Sequence, residues 1–292
     1  MEQFKKIGII GRKAEGAFEA FTALKTFLLS RQLEVVVGEM MSQIVPDHDL
    51  EVVPRDVIGD VCDLIVVIGG DGSLLGAARD LAHYKVPVLG VNRGRLGFLT
   101  DVLPEEIEAK VGAVLEGNYE KDKRFLVDTF VLRDDKVIGQ ADALNDVVVS
   151  SGKSSSMIEM NLYVDDEFVN TQRSDGLIVS TPTGSTAYSL SGGGPIMHPK
   201  LDAIVMVPMF PHTLTSRPIV VSGDSEIKIH IPEANRFEVP VVCDGQLNLT
   251  AAPGDTVLIK KKPHRLQLIH PTGHSFYASC RDKLGWGTKL GG

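Results

Sequence analysis

Residues 64–73 read LIVVIGGDGS, and this stretch decides the fold of the first part of the chain. Five consecutive apolar residues, most of them β-branched, are typical of a strand buried on both faces of a parallel sheet. The glycines end that strand and let the backbone turn without a Cβ in the way. We predict that Ser73 caps a helix beginning at Leu74, so that strand, turn and helix N-terminus present N–H groups to an anion.

One acid, Asp71, lies in the middle of this turn. A carboxylate beside phosphates is repelled unless it holds a cation or takes a proton, so Asp71 does not belong in a simple phosphate cradle. Phosphoryl transfer needs a group that accepts the proton of the attacking hydroxyl, and one carboxylate near the nucleophile can do this. The alternative is an ordinary strand–helix turn with a capping aspartate, and the turn alone does not separate the two.

Composition limits the classes of protein that the chain can belong to. With 292 residues, 43% hydrophobic and 23% charged, it is typical of a soluble globular protein of two domains. A net charge of −8 argues against a general nucleic-acid binder, and no segment is long and apolar enough to predict a membrane span. Three cysteines without C-x-x-C spacing predict neither a cysteine zinc site nor a disulfide framework, and a reducing cytoplasm is the expected location.

The hydrophobic pattern changes along the chain. Residues 1–101 alternate strand and helix signals, which predicts a Rossmann-like parallel α/β domain, although neither a G-x-G-x-x-G nor a Walker A pattern is present. Residues 102–274 begin with a helix and continue as many short alternating strands, which predicts a β-sandwich-like domain. Residues 275–292 form a tail with helical spacing. The predicted fold class is therefore α/β followed by β.

Two polar segments of the second domain are candidates for a binding site. Asn145 and Asp146 offer a donor, an acceptor and a charge between apolar runs, although such a pair is more often a turn or a strand end. Residues 181–191 are rich in hydroxyls and follow the strand predicted at 177–180. They favour a polar, backbone-accessible pocket, and the alternative is a serine- and threonine-rich loop.

Several of these motifs together resemble one family. Residues 69–73 are similar to the GGDG signature of NAD kinases, which lipid kinases of the diacylglycerol type and 6-phosphofructokinases share more loosely. Three further segments resemble NAD kinases in the expected order: GVNRGRLGFLT at 90–100, the Asn145-Asp146 pair, and DGLIVSTPTGSTAY at 175–188. The last is long and specific, and the resemblance covers nearly the whole chain.

The resemblance implies an ATP-dependent NAD kinase, a phosphotransferase that moves the γ-phosphoryl group of ATP to the 2′-hydroxyl of the adenosine ribose of NAD. It implies a divalent cation on the phosphates, with Mg²⁺ expected and its ligands unassigned, and Asp71 as general base or hydroxyl-orienting group. It also implies a homo-oligomer, dimer or tetramer, whose neighbouring subunits complete the site, and a tail that packs back on the first domain. The NAD-binding residues that it implies are Asp71, Gly72, Phe98, Asn145, Asp146, Arg173, Asp175, Thr186, Ala187, Tyr188, Ser189, Leu190, Ser191 and Gln246.

Alternatives remain open for single residues and for the function. Phe98 is a core residue by default, and a β-turn at residues 244–245 accounts for the neighbourhood of Gln246 equally well. A lipid or sugar kinase would use the same glycine-rich turn, but the segment 175–188 argues against it. A non-catalytic NAD or NADP sensor would have little use for the acid at Asp71.

Overall fold

The structure is a computed structural model that describes residues 4–93, 97–152 and 157–286. Residues 94–96 of the second motif, and the end of the tail from 287, lie outside the described residues. The chain forms two compact units, Met1–Lys123 with Leu266–Gly292, and Arg124–Arg265. This division differs from the sequence-based bounds at 101/102 and 274/275. The reason is that helix Ile107–Leu115 buries one face in the core of the first unit, and the side chain of Ile269 is part of the same core.

The strands are β1 Lys6–Gly11, β2 Glu34–Gly38, β3 Glu51–Val53, β4 Leu64–Ile68, β5 Pro87–Val91, β6 Tyr119–Arg133, β7 Lys136–Ala143, β8 Asp146–Ser150, β9 Ile158–Val164, β10 Glu167–Ser174, β11 Gly176–Ser180, β12 Ala203–Met209, β13 Ile219–Ser222, β14 Ile227–His230, β15 Val239–Cys243, β16 Leu247–Ala251 and β17 Thr256–Pro271. The helices are α1 Ala17–Ser30, α2 Glu39–Ser42, α3 Ile58–Val61, α4 Asp71–Leu81, α5 Ile107–Leu115, α6 Tyr188–Ser191 and α7 Phe276–Leu284, with 3-10 turns at Pro104–Glu106 and Gly184–Thr186.

The first unit is a parallel α/β layer structure, as predicted. Its strands run in the order β3-β2-β1-β4-β5, and the end of β17 pairs parallel to β5 through Gln267 and Leu268. Strand β4 is buried along its whole length because it lies inside this sheet. Helix α1 buries a face that includes Phe21 and Leu24 in the same core as α5. The carboxyl ends of β4 and β5 therefore lie side by side, where ligands bind in such sheets.

The second unit is a pair of sheets enclosing one core, which confirms the β-sandwich-like prediction. One sheet has the order β13-β12-β11-β8-β15-β16 and is antiparallel throughout. The other contains β10-β9-β14 with the first half of β17, and β6 with β7. Alternate residues of both sheets meet in the core, for example Val147 and Leu177 from one sheet and Met160 and Ile229 from the other. The opposite face of the first sheet carries Val148 and Ile178 and packs against Met197.

The start of α4 differs from the sequence prediction. We expected Ser73 to cap a helix beginning at Leu74, but the helix begins at Asp71, and Gly70, in an extended conformation, is its N-cap without a side-chain hydrogen bond. Asp71 therefore lies at the first helical position, where a negative charge is favourable beside the free N–H groups. The prediction was wrong because the glycines already supply the turn, so no hydroxyl cap is needed.

Candidate active site

A tight glycine turn joins β4 to α4 in the first unit. The N–H of Gly69 donates to the carbonyl of Val91 at 2.9 Å, which fixes the turn to the end of the neighbouring strand. A Cβ on Gly69 would lie 2.3 Å from the Ser73 Oγ, whereas nothing lies within 4 Å of the corresponding position at Gly70. Position 69 must be glycine because any side chain would collide with Ser73 of α4, whereas the space beside Gly70 lets a ligand approach the backbone.

The Asp71 carboxylate is held by the segment that follows β5. It accepts hydrogen bonds from the N–H groups of Phe98 and Leu99, at 2.8 and 3.1 Å, and lies 3.4 Å from the hydroxyl of Thr100. That hydroxyl also accepts from the side-chain amide of Asn92 at 2.8 Å. Asn92 and Thr100 are buried, while Asp71 is half-buried. The carboxylate is therefore oriented by hydrogen bonds to groups in the interior of the unit.

Gly97 allows this approach. A Cβ at Gly97 would lie 1.9 Å from Asp71 Oδ1 and 2.6 Å from the Thr100 Oγ1, so no other residue fits between them. Gly97 is itself the first residue of a turn closed by its N–H to the carbonyl of Thr100, at 3.1 Å. Phe98 contributes its backbone N–H to the site, and its side chain is half-buried.

The carboxylate faces an open cleft of about 730 Å³ in the first unit. Because this cleft includes the start of α4, it combines a helix N-terminus with charged side chains of both signs, which suits a phosphate chain that carries a cation. Gly72 follows Asp71 and is exposed. The cleft is lined by Glu15, Gly16, Glu19, Gly70, Asp71, Asn92, Arg93, Gly97 and Lys283.

In the second unit, Asn145 and Asp146 lie at the start of β8, and their backbone is held by another acid, Asp244. Asp244 accepts backbone N–H groups from Leu144, Asn145 and Asp146 at 3.0, 2.7 and 3.3 Å. Asp146 is only 5% exposed, and burial, reinforced by the negative charge of Asp244, raises its pKa to about 7. Asp146 therefore exchanges a proton near neutral pH and can act as donor or acceptor toward a ligand hydroxyl.

The hydroxyl-rich segment after β11 folds against the same backbone. Thr181 donates its hydroxyl to the carbonyl of Leu144, and Ser180 donates to that of Asn145 at 3.1 Å. A Cβ on Gly184 would lie 2.2 Å from the Asn145 carbonyl oxygen, so this contact requires glycine. These contacts bring residues 145–146 and 180–184 together, while the polar pocket predicted at residues 181–191 stays a prediction.

Two buried polar atoms in these segments lack a hydrogen-bond partner among the described residues, namely Asn145 Oδ1 and Ser189 Oγ. An unpaired buried oxygen is costly, and such atoms in a native structure need a ligand or another explanation. Both atoms belong to residues that we expected to bind NAD. They are the strongest sign in the second unit that a polar molecule binds here.

The remaining predicted residues fall into three groups. Tyr188 is 46% exposed, Ser191 is exposed, and Thr186, Ala187 and Leu190 are half-buried, all within or next to α6. Gln246 is half-buried and lies in the turn that also contains Asp244, so it belongs with Asn145 and Asp146.

Arg173 and Asp175 lie elsewhere in the unit. The register of β8 with β11 places Asp146 opposite Ser180 and Ser150 opposite Gly176, so Asp175 lies beyond the other end of that ladder. Four residues of strand correspond to about 13 Å. Within one chain, this separation does not bring Arg173 and Asp175 to Asn145 and Asp146.

Sequence reasoning missed three residues that build the site. Asp244 was interpreted only as part of a turn, although an acid beside the predicted Gln246 was a usable signal. Gly97 and Thr100 were part of a quoted motif without a role, because their function depends on contact with Asp71, which lies far away in sequence.

The chain matches known proteins over most of its length. The ATP-NAD kinase N-terminal domain matches residues 7–119, and the ATP-NAD kinase C-terminal domain matches residues 144–271. The chain is 59% identical to the NAD kinase of Azotobacter vinelandii over 293 aligned positions, which cover all of this chain and 99% of that protein. It is 58% identical, with the same coverage, to NAD kinases of Pseudomonas aeruginosa.

Solved structures show the same fold. A yeast NADH kinase complexed with NADH superposes with a TM-score of 0.88 at 25% identity, covering 99% of this chain and 90% of that one. An NAD kinase from Archaeoglobus fulgidus in complex with ATP gives a TM-score of 0.72 at 26% identity, covering 96% and 98%.

A glycine turn that holds an acid at a helix N-terminus, in a chain that matches both domains of the ATP-NAD kinases, is typical of a nucleotide-dependent phosphotransferase. The relatives narrow that class to a single reaction type. The chain belongs to the NAD kinase family.

Proposed function

We propose that this protein transfers the γ-phosphoryl group of ATP to the 2′-hydroxyl of the adenosine ribose of NAD, giving NADP and ADP. The observation that carries the proposal is the position of Asp71, whose carboxylate is oriented by backbone N–H groups at the tip of the GGDG turn and faces the cleft. The whole-chain similarity to NAD kinases supports the choice of substrate.

The chemistry asks for a proton acceptor and a fixed direction of attack. The ribose 2′-oxygen forms a bond to the γ-phosphorus, and the bond from that phosphorus to the β–γ bridging oxygen breaks, so that ADP leaves with the electron pair. The proton of the 2′-hydroxyl goes to Asp71. The three donors that hold the Asp71 carboxylate keep it from rotating, so that it orients the hydroxyl before it accepts the proton.

We assign NAD binding to the polar segments 145–146 and 186–191 of the second unit, together with Gln246. Asn145 Oδ1 and Ser189 Oγ are the unpaired atoms that accept or donate to the nucleotide, and Asp146 and Gln246 contribute further polar groups. The exposed ring of Tyr188 offers a stacking surface. Thr186, Ala187, Leu190 and Ser191, which lie close to Tyr188 in the chain, are assigned to the same site.

Arg173 and Asp175 are assigned to NAD binding in a second copy of the chain. Their separation from Asn145 and Asp146 along β11 supports a homo-oligomer in which a neighbouring subunit completes the site. Sedimentation of the purified protein tests this assignment. A monomer that turns over at full rate would exclude it.

Mg²⁺ fits the cleft of the first unit. Glu15 and Glu19 line it with carboxylates, and Mg²⁺ is usually held by one or two carboxylates together with substrate phosphates rather than by a protein cage. When bound, the ion neutralises charge on the phosphates.

We place the protein in the cytoplasm, which is supported by three free, buried cysteines. Among the described residues, no helix is long and apolar enough to cross a membrane.

The test is direct. The purified protein is incubated with ATP, Mg²⁺ and NAD, and NADP is followed with an NADP-specific dehydrogenase. Asp71→Asn is compared with Asp60→Asn, which changes an exposed acid of the same unit outside the cleft. NADP from the wild type and from Asp60→Asn, with little from Asp71→Asn, is the expected result. NAD binding without NADP would favour a sensor, and ADP formation with a lipid or sugar alone would favour a different kinase.

A further inference from the structure

A buried ion pair ties the segment that orients Asp71 to strand β17 of the first unit. Asp101 directly follows Thr100, and its carboxylate contacts Nδ1 of His270 on β17. The other ring nitrogen, Nε2, lies 3.3 Å from the carboxylate of Asp122 on β6. The side chain of His270 is 2% exposed, and those of Asp101 and Asp122 are 14% and 15% exposed. One imidazole thus joins two acids that lie on different elements.

The contacts of His270 require a proton on both ring nitrogens. A neutral ring would turn the lone pair of one nitrogen toward a carboxylate, whereas an imidazolium donates to both acids. Burial lowers the pKa of His270, but the hydrogen bonds to Asp101 and Asp122 outweigh burial and raise the pKa to about 9. His274 stacks on this ring with centroids 3.9 Å apart, and its own Nδ1 lies 3.2 Å from the Asp101 carboxylate. Asp101 is therefore held by two rings.

Stability alone is a weak reason for this arrangement. Burying charged groups contributes little net stability, because the loss of hydration offsets most of the attraction between them. Short hydrogen bonds between charged groups do fix geometry. The backbone of Asp101 is held as well, since its carbonyl accepts a hydrogen bond from Nζ of Lys110 on α5 at 2.9 Å. These contacts fix the position of Asp101 relative to β17 and α5.

The residue that is fixed in this way lies next to the donors of Asp71. Only Thr100 separates Asp101 from Leu99, whose N–H donates to the Asp71 carboxylate at 3.1 Å. On the other side, the carbonyl of Val102 accepts a backbone N–H that follows β5 at 2.7 Å, a bond that does not involve the Asp101 side chain. Without the ion pair, the segment would stay attached at Val102, but its peptide groups could rotate away from the carboxylate.

We propose that His270 is a positioning residue for phosphoryl transfer, which through its ion pair with Asp101 fixes the segment whose N–H groups orient the Asp71 carboxylate. This inference rests on the proposed function. Neither His270 nor Asp101 lines the cleft that Asp71 faces, so their effect is on the orientation of the proton acceptor rather than on the binding of the nucleotides.

The test compares the two acids that share the imidazole. Asp101→Asn breaks the ion pair on the side of the Asp71 segment, and Asp122→Asn, at the same depth on β6, is the matched control. Asp101→Asn should lower kcat for NADP formation by about 10–100-fold, the effect of misplacing a reacting group by about 1 Å, with KM for ATP and for NAD within about twofold of wild type. Asp122→Asn should keep kcat within about twofold at a comparable loss of urea midpoint.

Hydrogen exchange measures the hold on the segment without any reaction. The amides of Phe98 and Leu99, followed by NMR in the absence of ATP and NAD, should exchange about tenfold faster in Asp101→Asn and at the wild-type rate in Asp122→Asn. His274→Gln removes one contact to Asp101 but leaves the ion pair in place, so it should fold even where Asp101→Asn does not. It should give smaller changes in the same direction.

The outcomes separate the inference from the proposed function. A folded Asp101→Asn with wild-type kcat, equal losses of kcat in the two acid variants, or unchanged exchange at residues 98–99 would overturn the positioning role and leave a purely structural ion pair. Unchanged exchange in His274→Gln would do the same where that is the folded variant. A wild type that forms no NADP would refute the proposed function instead, and the exchange rates would still decide whether the ion pair holds the segment.

Discussion

Replacing Asp71 by asparagine separates the two things that its carboxylate does. The acid accepts two backbone N–H groups and lies within reach of one hydroxyl. An asparagine side chain has a single oxygen, so in either amide orientation its NH₂ group faces at least one of those N–H donors. Losing one hydrogen bond to a charged group and leaving an N–H unpaired costs about 2–4 kcal/mol together.

This loss is smaller than the stability of a typical domain, about 5–15 kcal/mol, so Asp71→Asn should fold with a lowered urea midpoint. Loss of the proton acceptor should lower kcat by a further 10²–10⁴-fold, on the order of magnitude of a general base. The assay measures kcat for NADP formation and the urea midpoint on the same preparation. The contacts to Phe98 and Leu99 thus give Asp71→Asn a cost in stability as well as in activity.

Thr100→Val is the matched control, because it removes a hydroxyl from the same network but keeps the carboxylate. The hydroxyl accepts from the Asn92 amide at 2.8 Å, so its loss costs about 1–3 kcal/mol of stability. If Asp71 takes the proton, Thr100→Val should retain far more activity than Asp71→Asn at a comparable loss of stability. Equal activity losses at equal stability losses would refute the proton-accepting role and leave Asp71 as a structural residue.

Three other perturbations test separate parts of the structure. Gly97→Ala should shift the Asp71 carboxylate, because the new Cβ would lie 1.9 Å from it; a kcat for NADP formation within twofold of wild type would contradict this contact. The pKa of Asp146 is raised by burial and then by the charge of Asp244 to about 7, so the folded state binds a proton that the unfolded state has released. The stability that this proton contributes is fully present below pH 4 and is lost as the pH rises through 7. Between pH 5 and pH 8, the free energy of unfolding of Asp146→Asn, measured in urea, should therefore gain about 3 kcal/mol relative to that of the wild type. Parallel pH profiles of the two proteins would disprove the burial argument. Tyr188→Ala should raise KM for NAD more than KM for ATP, since the exposed ring is assigned to the dinucleotide, and an unchanged KM for NAD would remove it from the site.

The fold was predictable wherever the pattern of buried residues is local. Strand β4 and the period-two strands of the second unit follow from hydrophobic spacing, and the carboxyl ends of β4 and β5 follow from parallel pairing. The start of α4 was not predictable from capping rules, because Gly70 supplies the N-cap conformation without a side-chain oxygen.

The site was harder to predict from the sequence than the fold, because its contacts join residues that lie far apart in the chain. Asp71 was identified from the turn itself, but its partners lie 27 to 29 positions away. Asp244 holds the backbone at Asn145 across 99 positions, and no local pattern marks it as the group that shapes residues 144–146. Likewise, the separation of Asp175 from Asp146 appears only in the register of β8 with β11.

The contacts of Asp71 explain how a carboxylate can lie beside phosphates. A carboxylate beside phosphates was expected to need a cation or a proton. Here two N–H dipoles and the start of a helix already compensate part of its charge before any substrate binds. A carboxylate accepts about four hydrogen bonds, and three positions are in use, so at most one remains for a substrate hydroxyl. The direction in which that hydroxyl must approach is therefore set by the backbone N–H groups of Phe98 and Leu99. Gly97, whose lack of a Cβ lets the carboxylate reach them, is a determinant of substrate orientation as much as of stability.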